Sequence, residues 1–461
     1  MKRTSAFDVL NYGAAGDGVT NDTAAIQKAI DACFAAGGGT VVLPSGRTFL
    51  AGGLALKSNM EFRVERGARL IASDRKEDYF SRFTETFEDE ALAWISAKDA
   101  ENIEVSGGGE IDGRSPLFVR EALPHITRVI PWRPAMLFLL RCRRIKLEDI
   151  LLRNSANWAT NFECCDDITV RGITILNDLK HPNNDGIHPH NSRNVRVSDC
   201  YVEAGDDAVA ISSSAKYADT FGACENITIT NCVFVATSCA VKIGSGTGAP
   251  VRNVTVSNCI VRRSNRGLGI MARDEGGVEN VLFSDITIET RLFHPDWWGN
   301  GEPIYVTALP RTPETGPVPV RNIRFRNILC RSENGIVIHG HPRCDLRDIL
   351  LENVQLEIAK TARHEGGRLD VRPCPPEYTY GYEPGRGVGT HTPWGQVVRA
   401  VNPGIFAYAA RDLAIRHCAV RWSGDIPPCY GAAIESHGCD GLRIEDFVGE
   451  AARPGPAVVR D

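Results

Sequence analysis

The sequence predicts an all-β fold, a solenoid of stacked parallel coils (a parallel β-helix) with one short helix at its N-terminal end. Three observations predict it: a nine-residue unit recurs along the chain, helix signals nearly vanish after residue 40, and Asn or Asp recurs at the turn of each unit. Hydrophobic residues make up 43% and charged residues 24% of the 461 positions, so the chain has ample material for a core.

The N-terminal region, residues 1–40, is predicted to cap the solenoid. Loop-like residues lead into TAAIQKAIDACFAA, whose apolar residues recur at helical spacing: Ala25, Ile26, Ala29, Ile30 and Cys33. Asn21 or Asp22 is suited to begin this helix and Gly37 to end it. We expect the helix to cover the open end of the β stack, because uncovered strand edges and an exposed core invite aggregation.

The repeat is Asn or Asp, alternating apolar and polar residues, an Asn/Asp turn, and a second short strand. The first six copies begin at residues 144, 167, 194, 226, 253 and 280, with steps of 23, 27, 32, 27 and 27 residues, and four more begin at 322, 348, 412 and 441. A period in this range indicates a solenoid. One unit cannot bury its own apolar face, whereas stacked units bury it continuously.

Insertions interrupt the rhythm at residues 113–134, 291–320 and 361–403. Loops on a solenoid tend to collect on one face and to carry the binding function. No flexible linker separates them, so we expect a single domain over residues 1–461, with 361–403 as a long loop insertion.

Charge and hydropathy exclude some classes of partner. The net charge of −5 and pI of about 6.2 give no electrostatic reason to expect nucleic acid or an anionic membrane. No apolar run approaches the ~20 residues of a membrane span. The start, MKRTSAFDVLNYG, has no apolar segment of the export type. We expect a cytoplasmic location, or a secreted or periplasmic one if a leader has been removed.

Fifteen cysteines are an odd number, so at least one is unpaired. None forms a CxxC pair with metal-site spacing. Several recur at one position of the repeat, and we expect these to be small apolar side chains of the core: Cys200, Cys232, Cys259 and Cys418. Reduced buried thiols fit the cytoplasmic expectation.

The stretch 183–207 carries three acidic residues around one repeat unit: Asp185 at one end, Asp206 and Asp207 at the other. Because stacked strands lie ~4.8 Å apart, acids on neighbouring coils are expected to lie several ångströms from each other. Carboxyl groups with room for a water and a leaving-group oxygen suit acid/base hydrolysis. The alternative is that Asn-Asp-Gly and Gly-Asp-Asp are ordinary turns.

Together these motifs resemble family 28 of the glycoside hydrolases, the polygalacturonase group of right-handed parallel β-helices. The resemblance also covers the opening AFDVLNYGAAGDGVTNDTAAIQKAIDAC and RPAMLFLLRCRRIKLEDILLRNSANW. It implies an inverting hydrolase that needs no cofactor, in which Asp206 protonates the glycosidic oxygen. Asp185 and Asp207 would hold and deprotonate the attacking water.

Two motifs of the family are absent. Where the resemblance implies the His of Gly-His-Gly the chain has Cys239, and where it implies the Arg and Lys of Arg-Ile-Lys it has Gly269 and Met271. Nearby cations that could bind a substrate carboxylate instead are Lys242, Arg266 and Arg273. The alternative for these is a solvated surface charge. We expect the sugar at the cleavage point to differ from plain galacturonate.

Further residues are candidates for substrate contact. His188 and His190 alternate on one strand and are expected to share a face, where hydrogen bonding near the cleft is favoured over a metal site. Trp158 is expected in the cleft wall, and Trp298, beside Trp297, on a sugar ring or in the core. Asn183, with Asn184, is expected to orient the acids or to join an internal Asn ladder.

Three functions remain open from the sequence. The first is a hydrolase of pectin-type or related oligosaccharides, acting on chain ends, with an oligo- or polysaccharide as its partner. The second is a Ca²⁺-dependent polysaccharide lyase, which needs a carboxylate-rich ion site and a basic residue. The third is a non-catalytic carbohydrate-binding solenoid. The sequence does not indicate an oligomeric state.

Overall fold

The computed structural model describes residues 5–81, 92–384, 388–392 and 395–461. Its internal contacts divide the chain into two compact units, residues 1–206 and 207–461. Each unit is described by itself, and the single domain over 1–461 stays a prediction. Part of the 361–403 insertion lies outside the described residues.

The predicted N-terminal helix spans Thr23–Ala35 and buries Ile26, Ala29, Ile30 and Cys33. Asp22 precedes it, but its carboxylate accepts hydrogen bonds from Ala15 N at 2.7 Å and Gly16 N at 3.0 Å rather than capping the helix. The Asn21 side chain accepts the Thr23 N–H at 3.0 Å. The helix packs against the first strands of the stack, as expected of a cap.

The first unit is a stack of parallel coils with three strands to a coil, on faces that we name A, B and C. Face A comprises Ala6–Asp8, Gly39–Leu43, Met60–Val64, Glu101–Ser106, Arg143–Glu148, Asp166–Arg171 and Arg193–Ser198. Face B comprises Asp17–Asn21, Thr48–Ala51, Arg69–Ala72, Glu110–Asp112, Leu151–Arg153, Thr174–Leu176 and Tyr201–Ala204. Face C comprises Leu54–Ala55, Leu92–Lys98, Pro134–Leu140, Thr160–Glu163 and Ile187–His190.

The second unit repeats this arrangement, and three of its strands run through faces A and B without a break: Val278–Thr290, Pro319–Ser332 and Asp345–Ala359. The other strands of face A are Cys224–Thr230, Val251–Ser257, Arg411–Arg416 and Arg443–Glu445, and those of face B are Val233–Ala236, Ile260–Ser264, Ala419–Ser423 and Val448–Gly449. Face C comprises Val209–Ser213, Cys239–Thr247, Arg266–Ala272, Ile304–Ala308, Ile336–His339, Ile405–Tyr408, Ile434–His437 and Val458–Arg460. The fold is the predicted right-handed parallel β-helix.

The recurring Asn and Asp residues mark the bend between faces A and B. Asp149, Asp199, Asn231, Asn258 and Asp285 all have a positive φ, between 47° and 58°. Asn and Asp tolerate this left-handed conformation better than other residues with a side chain. A second set forms a ladder in the second unit, where the Asn253 amide donates to Asn226 at 3.0 Å and the Asn280 amide to Asn253 at 3.3 Å.

All fifteen cysteines are free thiols, and most are buried. The four that recur in the repeat, Cys200, Cys232, Cys259 and Cys418, are buried as expected. No helix in the described ranges is both long and apolar enough to cross a membrane.

Short helical turns and small antiparallel sheets lie outside the coils. The 3₁₀ turns are Val9–Tyr12, Lys76–Asp78, Ser115–Phe118, Ala215–Tyr217 and Pro376–Tyr378. The 113–134 insertion forms the hairpin Val119–Ala122 with Thr127–Val129, and Phe80–Ser81 pairs antiparallel with Leu92–Lys98. The 361–403 insertion contains a sheet of Arg368–Asp370, Val388–Thr392 and Gly395–Arg399. Ile304–Ala308, inside the predicted 291–320 insertion, is instead a regular strand of face C.

An apolar cluster holds the 361–403 insertion on face C of the second unit. Its face C residues include Met271, Tyr305 and Phe406, and the insertion contributes Leu369, Val371, Cys374, Tyr378 and Val398. Burial of apolar area is the main favourable term in such packing. This part of face C is therefore covered by the protein's own chain.

A buried ionic network reinforces the same contact. The Asp370 carboxylate accepts hydrogen bonds from Arg372 Nε at 2.8 Å and Arg372 Nη2 at 2.9 Å, and from Gly299 N at 2.8 Å. Arg266 of face C lies 3.5 Å from Asp370 and 3.3 Å from Glu302. The two arginines hold the pKa of Asp370 well below its usual range, against the opposing effect of burial.

Replacing Asp370 with Ala should lower the free energy of unfolding by ~3–5 kcal/mol, because it leaves two guanidinium groups buried without their shared carboxylate. Urea denaturation measures this. The matched control is Asp348→Ala, which breaks an exposed ion pair with Arg324 and should cost less than ~1 kcal/mol. Equal losses in the two variants would show that the buried network adds nothing specific.

Candidate active site

Two of the three predicted acids come together inside the first unit. Asp185 and Asp206 are both nearly buried, and a carboxylate oxygen of one lies within 4.8 Å of one of the other. Asp206 Oδ2 accepts a hydrogen bond from Asn183 N at 3.2 Å and a longer one from Asn183 Nδ2 at 3.5 Å. The stacking that the repeat predicts therefore brings residues 185 and 206 into one acidic pair.

The turn before Asp185 determines where Asp206 lies. Asn183 has a left-handed φ of 57°. Asn184 Oδ1 accepts the Gly205 N–H at 2.6 Å, and Asn184 Nδ2 donates to Asp178 O at 2.9 Å. A Cβ on residue 205 would lie 2.4 Å from the carbonyl oxygen of His181, so only glycine fits there. Asn183 and Asn184 thus orient the acidic pair rather than join a ladder.

Asp207 follows Asp206 directly in the chain and begins the second unit. It is fully buried (0% exposed), and Lys242 forms an ion pair with its Oδ2. Asp207 Oδ1 accepts the Cys239 N–H at 3.0 Å. Both contacts stabilise negative charge on Asp207, because hydrogen bonds to an ionised group are the strong ones.

An aromatic group lies on face C of the first unit. The Trp158 ring meets His188 edge to face at a centroid distance of 5.0 Å, and His188 meets His190 at 5.8 Å. The two histidines share one face, as their alternation predicts. In register, His188 lies beside Asn161 and His190 beside Glu163. Burial lowers the pKa of His190 to about 4, so this imidazole is neutral at neutral pH.

Comparison with known proteins decides the family. The model of Glycosyl hydrolases family 28 matches residues 41–365. The chain belongs to this family. A second model, Rhamnogalacturonase A/epimerase, pectate lyase-like, matches residues 6–63. Family membership makes the protein a glycoside hydrolase and favours hydrolysis over the lyase and binding-only alternatives.

Similar proteins carry polygalacturonase names, and similar solved structures share the fold. Polygalacturonase-2 of Solanum lycopersicum is 25% identical over 369 residues, 76% of this chain and 74% of that protein. The exo-poly-alpha-D-galacturonosidase of Dickeya chrysanthemi is 25% identical over 328 residues, 60% of this chain and 54% of that protein. The crystal structure of a Thermotoga maritima exopolygalacturonase has a TM-score of 0.65 at 24% identity, covering 78% of this chain and 89% of that one. The Yersinia enterocolitica family 28 exopolygalacturonase scores 0.71 at 19% identity, covering 96% and 78%.

Within this family 28 chain, the residues found where the resemblance implies His, Arg and Lys are small or apolar. Cys239 is buried, burial raises the pKa of its thiol, and the thiol donates to Val241 O at 3.3 Å. A Cβ on Gly269 would lie 2.9 Å from Cys239 Sγ, so the cysteine occupies space next to this glycine. Met271 belongs to the apolar cluster under the 361–403 insertion.

Arg266 and Arg273 are neither surface charges nor open to solvent, which corrects their predicted roles. Arg266 donates to Asp370 O at 2.9 Å, and its guanidinium lies 3.9 Å from the ring centroid of Tyr305. Arg273 donates to Pro373 O at 2.8 Å, Val371 O at 2.9 Å and Thr307 Oγ1 at 2.6 Å. These side chains tie the insertion to face C, and we do not assign them to substrate.

Trp298 also packs against the 361–403 insertion. The guanidinium of Arg372 lies over its ring at 5.0 Å, and Asn265 donates to its carbonyl oxygen. One ring face is therefore occupied by an arginine of the insertion. The packing alternative describes Trp298 better than a sugar-stacking role.

Two residues of the first unit were missed by the sequence analysis, Arg133 beside Asn183 and Asn161 beside His188. Arg133 donates to Asn183 Oδ1 at 3.0 Å and to Pro182 O at 2.6 Å. It comes from the 113–134 insertion, whose path no repeat or motif indicates. Asn161 is buried beside His188, and its Oδ1 has no hydrogen-bond partner in the described part of the chain. The repeat pattern gave no signal for Asn161.

Lys242→Met should reduce the turnover of pectic oligosaccharides by at least about tenfold, because Asp207 would remain buried with one hydrogen bond and no counter-ion. Lys242→Arg should retain most activity, and the exposed Lys28→Met serves as control. An unchanged kcat in Lys242→Met would contradict this role.

His190 predicts a pH dependence of stability. Its pKa is about 4 in the fold against 6.5 ordinarily, so the unfolded chain takes up the proton first as pH falls. The stabilisation is present above pH 6.5 and is lost towards pH 4, by up to ~3 kcal/mol. In urea denaturation at pH 7.5 and 4.5, His190→Gln should lose less stability than the parent, whereas exposed His417→Gln should match it.

Proposed function

We propose that the protein hydrolyses pectin-type oligosaccharides from a chain end, with Asp206 as the general acid and Asp185 and Asp207 as the groups that act on water. The observation that carries this proposal is the unequal surroundings of the acids. Asp206 and Asp185 form a close pair in the first unit. In the second unit, the Asp207 carboxylate forms an ion pair with Lys242 and accepts a hydrogen bond from a backbone N–H.

The surroundings suit Asp206 as the acid. Two carboxylates within 4.8 Å disfavour double ionisation, so the pair tends to keep one proton. The Asn183 N–H donates to Asp206 Oδ2 at 3.2 Å and holds this carboxyl group in place beside Asp185. Asp185 is then the ionised partner that removes a proton from water.

Asp207 supports this division because its carboxylate has an ion-pair partner and a hydrogen-bond donor of its own within the second unit. Lys242 compensates that charge locally and keeps it tolerable in a fully buried position. We therefore give Asp207 an electrostatic and water-holding role rather than that of the principal base.

Inversion of configuration is proposed from the family resemblance. The separation of Asp185 and Asp206, measured between nearest oxygens, is below the ~6.5–9.5 Å typical of inverting pairs and does not itself argue for inversion. Proton NMR of the first-formed anomer tests it directly. An initial product with the configuration of the substrate would contradict an inverting mechanism.

The substrate is proposed to carry a sugar other than plain galacturonate at the cleavage point. The relatives are named for galacturonate polymers, but here Cys239, Gly269 and Met271 stand where the resemblance implies His, Arg and Lys. A carboxylate placed against these residues would lose water, and the neighbouring cation, Lys242, is already paired with Asp207. A neutral or less polar sugar meets no such cost.

Action on chain ends is supported by the 361–403 insertion, which covers part of face C of the second unit. Register places Lys242 beside Gly269, and Gly269 beside Tyr305, which already belongs to the covered apolar cluster. Two strand spacings correspond to ~10 Å, about the length of two sugar residues. A polysaccharide cannot continue through this cover, whereas a chain end can stop there.

Asp206→Asn should lower turnover by several orders of magnitude, because the amide cannot donate a proton to the leaving group. Cys239→Ala should remain active. Screening both against backbone and side-chain pectic oligosaccharides should give saturated reducing ends without Ca²⁺ and products released one end at a time. An unsaturated, ultraviolet-absorbing product that requires Ca²⁺, or an equally inactive Cys239→Ala, would overturn the assignment. The cytoplasmic location stays a prediction.

A further inference from the structure

A cavity of about 160 Å³ lies in the second unit, at the edge of the 361–403 insertion, with a largely apolar lining that includes two arginines. Its walls come from face C strands Ile336–His339 and Ile405–Tyr408 and from insertion strands Arg368–Asp370 and Gly395–Arg399. Pockets for drug-sized ligands measure ~300–1,000 Å³, so this cavity fits a single sugar ring rather than an oligomer. None of the residues placed in the catalytic machinery lines it.

Two arginines line this cavity directly opposite each other. Arg368 and Arg399 are register partners in an antiparallel pair, so their side chains leave the sheet on the same side. Arg368 donates to Pro295 O at 3.3 Å. Glu435 lines the same cavity, but no ion pair joins a carboxylate to Arg368 or Arg399 within the described part of the chain. Like charges opposite one another are destabilising unless an anion lies between them.

The remaining walls suit a sugar. Tyr380 and Phe406 line the cavity with ring centroids 5.5 Å apart. One face of the Tyr380 ring is stacked on His437 at 4.4 Å, so the C–H face of a pyranose would pack against its other face. Glu435, on another wall, forms an ion pair with His437 at 2.9 Å and offers an acceptor for hydroxyl groups. A compact inorganic anion would meet this carboxylate without using the aromatic surface.

We infer that this cavity binds one uronic acid residue, with its carboxylate held by Arg368 and Arg399 and its ring against Tyr380 and Phe406. Arginine pairs with carboxylates through parallel hydrogen bonds, which supplies the specificity for an acidic sugar. Because Phe406 and Glu435 follow Val337 in the register of face C, the cavity lies several strands beyond Lys242. It is thus an accessory site distinct from the acids. The inference rests on the proposed function for the choice of a pectic ligand.

The test uses the full chain with Asp206→Asn, which prevents turnover, and galacturonic acid as the probe, with neutral galactose as its matched analogue. Titration calorimetry should show galacturonic acid binding, and Arg399→Ala should raise its Kd by about tenfold or more. Galactose should bind the Asp206→Asn chain no more tightly than galacturonic acid binds the chain that also carries Arg399→Ala. The exposed Arg421→Ala is the control and should leave the Kd unchanged.

Stability provides a second readout that does not depend on catalysis. Without ligand, Arg399→Ala should keep or raise the Tm, because it removes a like-charge contact. Galacturonic acid should then raise the Tm of the parent but not that of the variant. Binding unaffected by Arg399→Ala, galactose binding as tightly as galacturonic acid, or full displacement by inorganic phosphate would each overturn the inference. Failure of the hydrolase proposal appears separately, as absence of cleavage by the wild-type chain with this binding intact.

Discussion

Backbone hydrogen bonds between successive coils are the constraint on which the rest of this structure depends. They place residues about one coil apart in sequence side by side, so a functional group on one coil has its neighbour fixed by register rather than by local sequence. Asn184 shows the effect, because its side chain holds the N–H of Gly205 on the adjoining coil at 2.6 Å. The acidic pair of the first unit is assembled by this contact and not by the Asp residues themselves.

The same constraint explains why departures from the family pattern occur together. Gly269 lies in register with Lys242 and its vacant Cβ position is taken up by the Cys239 thiol. A larger residue at 269 would require a change at 239, since the two side chains share one space. Meanwhile Met271 contributes to an apolar cluster that a lysine could not join without burying an unpaired charge. The residues at positions 269 and 271 are therefore each constrained by neighbours on face C.

The sequence predicted what depends on periodicity and failed where contacts are remote. The coil unit, the left-handed Asn and Asp turns, the helix from Thr23 and the closeness of Asp185 and Asp206 all follow from repeat spacing. Arg266 and Arg273 were mistaken for available cations because their partners lie about a hundred residues away in the irregular insertion. Burial and pairing of a charge are decided by such tertiary contacts, which composition and spacing do not encode.

The insertion consequently has two physical effects on one face. Its apolar side chains and the Asp370 network exclude water from face C near Tyr305, which removes that surface from polysaccharide binding. At its edge, Arg368 begins one strand of the insertion and its register partner Arg399 ends another, so the two side chains lie side by side at the strand ends. The margin of the insertion thus carries two cations. The insertion that covers part of face C thus also carries a cationic edge. Because the register places the two arginines side by side, a carboxylate bound between them is the simplest way to relieve their repulsion.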